Sequence, residues 1–221
     1  MGLSSAAEPR PGAGHASSAT GRGVAALRIA KRWIRAVVRA VARVAVLPMY
    51  ISFLVRHLLF GQQAFRASSQ MISLLPGFIG DYLRAEFYRL TLPRVGVDVQ
   101  ICFGTLLSSR QATIGDHVYI GPNCVVGNVD IGADVLLGSN VHLLSGQAQH
   151  GTADLDRPIR LQIGHYQRIA VGEDTWIGNG AIVMASVGRK CVIGAGSVVI
   201  SDIPECSVAA GNPARVLRSR T

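Results

Sequence analysis

The pattern of hydrophobic and polar positions divides this chain into a helical part and a repetitive part. Over residues 24–43, arginines recur every three or four positions with aliphatic side chains between them, which predicts a basic amphipathic helix. Residues 74–92 carry apolar side chains at helical spacing and predict a second helix, which suits docking against a neighbouring domain. The N-terminal part of the chain is therefore expected to be helical.

Between these two predicted helices, residues 44–55 form an apolar run without a charge. The run contains Pro48 and is shorter than the roughly 20 residues that cross a bilayer, so we expect it to lie in the membrane interface. Two alternatives stay open at this point. One is a true span that extends to Phe60, and the other is a helix that packs on the protein itself or on a partner subunit.

Beyond Pro93 the period of the pattern changes to six. Each unit begins with an aliphatic residue and Gly, and a small or β-branched residue follows three positions after the Gly. A period of six fits neither a strand nor a helix and predicts a solenoid with three flat faces per coil. The aliphatic residue should point inward, the Gly should allow the corner, and the small residue should fill the axis. Eight units obey this rule, and they begin at Ile114, Ile120, Ile131, Leu137, Val171, Ile177, Val187 and Ile193.

The repeat stops between Leu144 and Ile169. Solenoids place insertions as loops on one face, and loops of this length in compact domains are usually functional. This one contains His150 and His165, and also the carboxylates Asp154 and Asp156, either of which could orient His150. We expect His165 to be an ordinary polar loop residue.

Four segments carry a resemblance to a known family. They are VHLLSGQAQH (141–150), VGEDTWIGNGAIV (171–183), VIGAGSVV (192–199) and AAGNPARVLR (209–218). Together with the hexads they resemble the hexapeptide-repeat acyltransferases, in particular the maltose and galactoside O-acetyltransferase branch, over about residues 95–218. The preceding LPGFIGDYLRAEFYRL is similar to the subgroup associated with cell-surface polysaccharide assembly.

The resemblance implies a mainly β fold, a left-handed parallel β-helix with an N-terminal helical extension, and assembly as a homotrimer. It implies acetyl-CoA as the acyl donor and His150 as the catalytic residue, a role that suits an imidazole because it can accept the proton of a sugar hydroxyl near neutral pH. Positive charge for the CoA phosphates would come from two arginines near the end of the chain. The implied cofactor-binding residues are Trp176, Asn179, Ala195, Ile200, Ser201, Arg215 and Arg218.

Two departures from the family pattern concern particular contacts. Ile200 and Ser201 stand where the family often has Thr and Lys, which affects one phosphate contact, and Gly151 stands where Pro commonly follows the catalytic His. The Asn that binds acceptor in the galactoside branch has no convincing counterpart. The acceptor can therefore not be inherited from the family, and a free sugar, a nucleotide sugar, a lipid-linked glycan and an amino group stay open.

Charge and cysteine content refine this interpretation. The net charge of +9 is confined to residues 1–66, which carry ten Lys or Arg and one Glu, whereas the rest of the chain is balanced. We therefore expect contact with the membrane surface through residues 24–60, a cytoplasmic location on the inner face of that membrane, and no nucleic-acid partner. A lipid-linked glycan is then the favoured acceptor. The four cysteines lie far apart without metal-ligand spacing, so we expect neither disulfides nor a metal site.

The predicted organisation is a disordered leader (1–23), a basic and apolar helical segment (24–66), a helical docking segment (67–94) and an acyltransferase domain (95–221). Two other functions remain alternatives. A membrane-attached scaffold without catalysis would leave His150 without a role. A zinc hydratase of the γ-carbonic anhydrase type shares the solenoid, but it needs three histidines, and the loop lacks a second His five positions from the first.

Overall fold

The structure, a computed structural model, describes the backbone of residues 17–220 and side chains from Ala30 onward, apart from that of Arg32. Residues 1–16 of the predicted leader lie outside the described residues. The chain divides into two units, residues 1–40 and 41–221. Within residues 17–220, three helices precede a β-solenoid of about six coils.

The helices are α1 (Ser17–Phe60), α2 (Gln62–Ser73) and α3 (Gly77–Thr91). Helix α1 already includes residues 17–23, which the sequence had predicted to be disordered, and it continues through Pro48, so the basic and apolar segments form one helix. A helix tolerates Pro48 at the loss of one backbone hydrogen bond. By length and composition alone, Trp33–Phe60 is long and apolar enough to cross a membrane.

Short strands form the three faces of the solenoid, which we name sheets A, B and C. Sheet A contains β1 (Arg94–Val95), β4 (Thr113–Ile114), β7 (Val129–Ile131) and β10 (Ile169–Val171). Sheet B contains β2 (Gln100–Ile101), β5 (Tyr119–Ile120), β8 (Leu136–Leu137), β11 (Trp176–Ile177), β13 (Val192–Ile193), β15 (Ser207–Gly211) and β16 (Ala214–Ser219). Sheet C contains β3 (Leu106–Leu107), β6 (Val125–Val126), β9 (His142–Leu143), β12 (Ile182–Val183) and β14 (Val198–Val199). All pairings between these strands are parallel except that of β15 with β16, which confirms the predicted parallel solenoid.

The inward positions of the hexads stack from coil to coil and form the core. In sheet B, Ile120 pairs with Leu137 and Ile177 pairs with Ile193, and all four side chains are buried. Cysteine in the small slot of the hexad packs against the axis as a small apolar side chain, as the repeat predicted. The buried occupants of this slot include Cys124, Ala181, Cys191 and Ser197.

The Gly of each hexad is needed for a different reason from the one predicted. A Cβ on Gly115 would lie 2.5 Å from the backbone nitrogen of Ala133 on the next coil, and the other hexad glycines are similarly crowded. None of these hexad glycines has a positive φ. The left-handed conformation falls two residues later, for example at His117 (φ 58°) and Asn123 (φ 57°), where His, Asn and Asp are tolerated better than most side chains. The glycines therefore allow adjacent coils to approach, and another residue makes the corner.

The helices pack on the first coil of the solenoid. The fully buried guanidinium of Arg84 on α3 donates to the carbonyl of Ile101 on β2 at 2.7 Å and to that of Leu75 at 2.5 Å. Its longer contacts, at 3.4 Å, reach the last carbonyls of α2 at Ile72 and Ser73. One buried side chain thereby donates to carbonyls of β2 and of the turn after α2, and it joins both helices to sheet B.

A buried carboxylate joins the part of α1 beyond Val41 to α3. Glu86 is fully buried and accepts hydrogen bonds from Arg43 of α1 at 2.9 Å and from Arg89. A buried carboxylate is costly unless it is paired. Arg43 supplies the pairing that joins α1 to α3, and Arg89 adds a partner from the same helix as Glu86.

Aromatic packing completes the contact between the helices. The ring of Phe53 on α1 packs edge-on against those of Phe65 on α2 and Phe87 on α3. Helix α3 also packs against β1 and β2. Helix α2 is an additional helix that the sequence pattern did not separate.

Candidate active site

The loop between β9 and β10 is closed at its base by backbone hydrogen bonds. The amide of Gln167 donates to the carbonyl of Ser145 at 2.9 Å, and that of His165 donates to Ala148 at 2.6 Å. The outgoing and returning ends of the loop therefore lie side by side where the loop leaves the solenoid.

Just beyond this closed base, the backbone of His150 is held by a close contact with Gly164. A Cβ at position 164 would stand 1.9 Å from the carbonyl oxygen of Gln149 and 2.6 Å from the nitrogen of His150. Only a residue without a side chain fits there. The loop therefore fixes the backbone from which the imidazole projects.

His150 is exposed, and its imidazole makes no hydrogen bond to any residue that the structure describes. The carboxylate of Asp154 accepts instead from the amide of Asp156 at 3.0 Å, so it stabilises its own turn. The predicted orientation of His150 by Asp154 or Asp156 is therefore not seen. The ring stays accessible to a ligand, as a general base needs to be.

The loop also contacts the coil that carries two predicted cofactor residues. The side-chain amide of Gln147, three residues before His150, donates to the carbonyl of Ile200 directly after β14. Since β14 lies two strands from β9 in sheet C, the loop leans along the solenoid axis. Sequence reasoning missed Gln147 because nothing in its spacing distinguishes it from the other polar loop residues.

Trp176 and Arg218, both predicted to bind the cofactor, lie on the outer face of sheet B. Trp176 pairs with Val192, Val192 with Val208, and Val208 with Arg218, and residues paired in this way project from the same face. The indole of Trp176 is half exposed. Three strand spacings separate it from Arg218, or about 14 Å.

A β-bulge brings Arg215 to the same face as Arg218. Residues three apart in a regular strand point to opposite faces. Here the register shifts between Val208 and Ala209, and Arg215 pairs with Ala210, two residues from the partner of Arg218. Both guanidinium groups are exposed and donate only to backbone carbonyls of their own strand, at 3.0 and 3.1 Å. Neither forms an ion pair with a carboxylate among the described residues.

Two further predicted cofactor residues lie at the corner where sheet B turns into sheet C. They are Asn179 and Ala195, which follow β11 and β13. The Asn179 side chain accepts the amide of Ser139 at 2.9 Å, which ties two coils together. Asn179 therefore has a structural role in this chain besides its predicted contact with the cofactor.

The last two predicted cofactor residues lie at the corner where sheet C turns into sheet A. They are Ile200 and Ser201, and the loop of His150 leaves the solenoid at the same corner. The arginines of β16 lie instead on the outer face of sheet B. One chain therefore ties the loop of His150 to Ile200 through Gln147, whereas Arg215 and Arg218 lie on a different face of the solenoid.

Asn128 lies at the point where the loop leaves and rejoins the solenoid. Its backbone N–H donates to the Ser145 hydroxyl at 2.8 Å, and its backbone carbonyl accepts a hydrogen bond from the N–H of Ile169 at 3.2 Å. The side-chain oxygen is buried and has no partner among the described residues.

Residues 17–220 contain no group of three or more His, Cys, Asp or Glu side chains that could hold a metal ion.

Two family models match the repeats on either side of the loop. The model for bacterial transferase hexapeptide (six repeats) matches residues 111–145, and the model for the hexapeptide repeat of succinyl-transferase matches residues 168–201. The residues between them, which include His150, belong to neither match. The family models therefore identify the solenoid and not the loop.

Relatives with assigned names match about half of this chain. A Saccharomyces cerevisiae protein named as an acetyltransferase is 40 % identical over 114 residues, which are 49 % of this chain and 56 % of the relative. The galactoside O-acetyltransferase of Escherichia coli is 34 % identical over 116 residues, 52 % of this chain and 47 % of its own length. An Escherichia coli protein named as a colanic acid biosynthesis acetyltransferase is 27 % identical, over 62 % of this chain and 75 % of the relative. The chain spans about half the length of the first two.

Solved structures show the same fold. A maltose O-acetyltransferase from Clostridium difficile superposes with a TM-score of 0.63 at 24 % identity, covering 72 % of this chain and 88 % of that one. A hexapeptide-repeat acetyltransferase from Vibrio cholerae, solved in complex with acetyl coenzyme A, superposes with a TM-score of 0.60 at 22 % identity, also covering 72 % of this chain and 88 % of that one. Both likenesses concern the architecture of the chain.

The repeats, the named relatives and the solved structures agree with one another. The family models cover the hexads on both sides of the loop, the relatives are named acetyltransferases, and the solved acetyltransferases share the solenoid. Residues 111–145 and 168–201 thus match hexapeptide-repeat transferase models, and the chain shares its solenoid fold with solved hexapeptide-repeat acetyltransferases.

Proposed function

We propose that this protein is an acetyl-CoA-dependent O-acetyltransferase that acts on a hydroxyl of a sugar or lipid-linked glycan in surface polysaccharide biosynthesis. The observation that carries this proposal is the β-bulge between β15 and β16, which places Arg215 and Arg218 together on the exposed face that also bears Trp176. Two guanidinium groups without a carboxylate partner among the described residues, on the same face as an exposed aromatic ring, suit a phosphate-rich nucleotide such as CoA. The names of the relatives support both the acetyl transfer and the polysaccharide context.

In the proposed reaction, His150 acts as the general base. Its imidazole takes the proton of the acceptor hydroxyl while the oxygen attacks the thioester carbonyl, and backbone N–H groups stabilise the oxyanion. Collapse of the tetrahedral intermediate breaks the carbon–sulfur bond. The sulfur leaves as the thiolate and receives the proton from the imidazolium, so the products are an O-acetyl ester and free CoA thiol. The exposure of His150 supports this role because its ring is open to an acceptor.

The proposal includes a homotrimer in which neighbouring subunits share each site. Its support is the separation of the predicted residues, with His150 and Ile200 at the corner of sheets C and A, and Arg215 and Arg218 on sheet B. A three-fold axis can bring one corner of a subunit to the face of the next. Neither half of the site would then work alone.

Subunit complementation tests this arrangement. At acetyl-CoA concentrations well below the KM of the variant, His150→Ala and the double variant Arg215→Ala/Arg218→Ala should each have strongly reduced activity, whereas mixed trimers, made by co-expression with two affinity tags, should regain part of the activity. Some sites in the mixed trimer contain an intact His150 and intact arginines. Mixed trimers without activity, or a fully active monomer in sedimentation analysis, would contradict a shared site.

The proposal also includes a cytoplasmic location on the inner face of the membrane. Residues 1–66 carry ten basic side chains and one acidic one, and Trp33–Phe60 has the length and composition of a span. Each Lys or Arg near an anionic leaflet contributes about 1 kcal/mol, so the segment can act as a tether. Flotation of the full-length chain with liposomes that contain anionic lipid tests the tether, and failure to float would count against it.

The activity itself is tested by the release of CoA thiol from acetyl-CoA in the presence of candidate acceptors. We expect release to depend on an acceptor hydroxyl and to be fastest with a lipid-linked glycan, compared with a free sugar and a nucleotide sugar. No turnover with any of the three classes, by a protein that still binds CoA, would favour the scaffold over the enzyme.

A further inference from the structure

The turn between α2 and α3 exposes a cluster of large apolar side chains, which we call the apolar corner. Residues 67–80 contain no charged side chain. Phe78, at the start of α3, is 72 % exposed. A contiguous exposed apolar patch of this kind usually marks an interaction surface. The members of the apolar corner are Met71, Leu74, Leu75, Phe78 and Ile79.

The hydroxyl groups of α2 near the apolar corner are turned towards the protein. Ser69 bonds the Tyr88 hydroxyl at 2.8 Å, and Ser73 donates to a carbonyl of its own helix at 2.7 Å. The next charge along the chain, Asp81, accepts from the buried Arg84 at 2.5 Å. The outer side of the corner therefore consists mainly of apolar atoms.

The end of α1 also exposes mainly apolar side chains, because its few polar groups are bonded within the protein. Residues 44–60 contain one Lys, Arg, Asp or Glu, which is Arg56, and it donates to the Ser68 hydroxyl at 3.1 Å. His57 is held on both ring nitrogens, by the carbonyl of Gly61 and by Arg110, each at 2.7 Å. Apart from Ser52, the exposed side chains of this stretch are apolar, and they include Val44, Ile51, Val55, Leu58, Leu59 and Phe60.

Charge decides which partner fits these surfaces. No Asp or Glu occurs between Glu8 and Asp81, whereas ten basic side chains do. A stretch of sequence that is cationic and free of acidic residues, and that also contains the uncharged apolar corner, is complementary to an anionic bilayer interface, where apolar side chains enter the acyl boundary and arginines meet head groups. We propose that the apolar corner inserts into the membrane interface as a second contact, separate from the tether of α1.

This second contact would set the distance between the catalytic loop and the lipid. Helix α2 packs against β3, and α3 packs against β1 and β2, so the corner belongs to the first coil of the solenoid. The loop of His150 leaves after β9, which is two strands from β3 in sheet C. Two strand spacings are about 10 Å. A docked corner would therefore keep the base of the loop within two strand spacings, measured along the solenoid, of the coil that meets the lipid. This inference rests on the proposed tether.

The test uses the full-length chain with Phe78→Trp, and Leu155→Trp as the matched control. Leu155 is 95 % exposed in the loop of His150 and belongs to neither α2 nor α3. Each variant is mixed with vesicles of phosphatidylcholine and anionic phosphatidylglycerol, with and without bromine on the acyl chains, and the fluorescence of the unsubstituted chain is subtracted. We expect the signal added by Phe78→Trp to shift to the blue and to lose about half of its intensity on brominated vesicles, because bromine quenches an indole in the acyl boundary. The control signal should change little.

Three outcomes would overturn the inference, and flotation separates them from failure of the tether. If the chain floats with vesicles but the Phe78→Trp signal is not quenched, the tether stands and the corner does not dock. If the chain does not float, both proposals fall. If the signal is blue-shifted without vesicles and depends on protein concentration, a second copy of the chain covers the corner.

Discussion

The Nε of Arg84 donates to the carbonyl of Ile101 at 2.7 Å, and this bond joins α3 to the first strand of sheet B. The same guanidinium reaches Leu75 after the end of α2, so its removal would leave buried carbonyls without donors. We predict that Arg84→Met lowers the free energy of unfolding by about 2–4 kcal/mol. Urea unfolding measures the loss.

The matched control for this first prediction is Arg94→Met, at an exposed position of β1. It should change the free energy of unfolding by less than about 0.5 kcal/mol. A loss in Arg84→Met that is no larger than this would mean that the carbonyls find other donors.

The second prediction concerns catalysis by His150. Because its imidazole is exposed and its backbone is fixed at the loop base, His150→Ala should lower kcat/KM by roughly 10²- to 10⁴-fold. Binding of CoA should be unchanged. His165→Ala is the matched control, since His165 is exposed in the same loop and contributes a backbone bond to Ala148 that the substitution retains. Equal losses in both variants would show that the loop's shape matters and not the base.

The third prediction concerns the backbone around His150. A side chain at Gly164 would overlap the carbonyl of Gln149, so Gly164→Ala should displace the outgoing part of the loop. We expect kcat to fall by about tenfold or more while the KM for acetyl-CoA and the Tm change little. Thr152→Ala, at an exposed position of the same loop, serves as the control. A normal kcat in Gly164→Ala would argue against a fixed loop base.

The fourth prediction concerns the two arginines of β16. Replacing Arg215 and Arg218 by Ala should raise the KM for acetyl-CoA by on the order of 10- to 100-fold, because each charge-assisted contact to a phosphate is lost. A thioester donor without the nucleotide phosphates should be affected much less. Arg189→Ala is the control, since Arg189 is exposed and pairs with Glu205 at 2.5 Å. Equal losses of activity with both donors would show that the two arginines do not bind the CoA phosphates.

The fifth prediction concerns alkaline pH. Burial raises the pKa of the Cys124 thiol from its ordinary value of 9.0 to about 11. The unfolded chain therefore loses this proton first, so the stability contributed by the neutral thiol is complete below pH 9 and declines as the pH rises towards 11. The decline should approach about 2 kcal/mol.

Urea unfolding from pH 8 to 11 checks this prediction. Cys124→Ala should show a flatter profile than the unsubstituted chain, and the exchange is one that the same hexad slot accepts at Ala181. Identical slopes in the two proteins would mean that the thiol ionises freely in the folded state.

The hexads made the solenoid predictable because each unit states locally which side chain points to the axis. Ile120 and Ile177 are buried in sheet B as the repeat required. The role of the hexad Gly was harder to predict from the sequence, because the atom that crowds it belongs to the backbone of another coil, such as the nitrogen of Ala133 beside Gly115. Period alone does not distinguish a residue that turns the chain from one that lets two coils touch.

The candidate site was predicted less completely than the fold. The position of His150 in a loop followed from the interruption of the repeat, and the closing segment placed Arg215 and Arg218 after the last hexad. Arg215 and Arg218 share one face because of the β-bulge between β15 and β16, and no residue type in the sequence predicts that bulge. The bond from Gln147 to Ile200 joins residues 53 apart, and contacts of that kind follow from the three-dimensional path of the loop.

The close approach at the hexad glycines has a consequence for how this architecture can change over evolution. At most of the hexad glycines the crowding atom belongs to the backbone of the next coil, so the contact between coils depends little on which side chains they carry. Whole coils can be gained or lost by duplication without inventing a new interface, and novelty is free to accumulate in insertions such as the one between β9 and β10. The lineage can thus keep one framework while its acceptor preference diversifies.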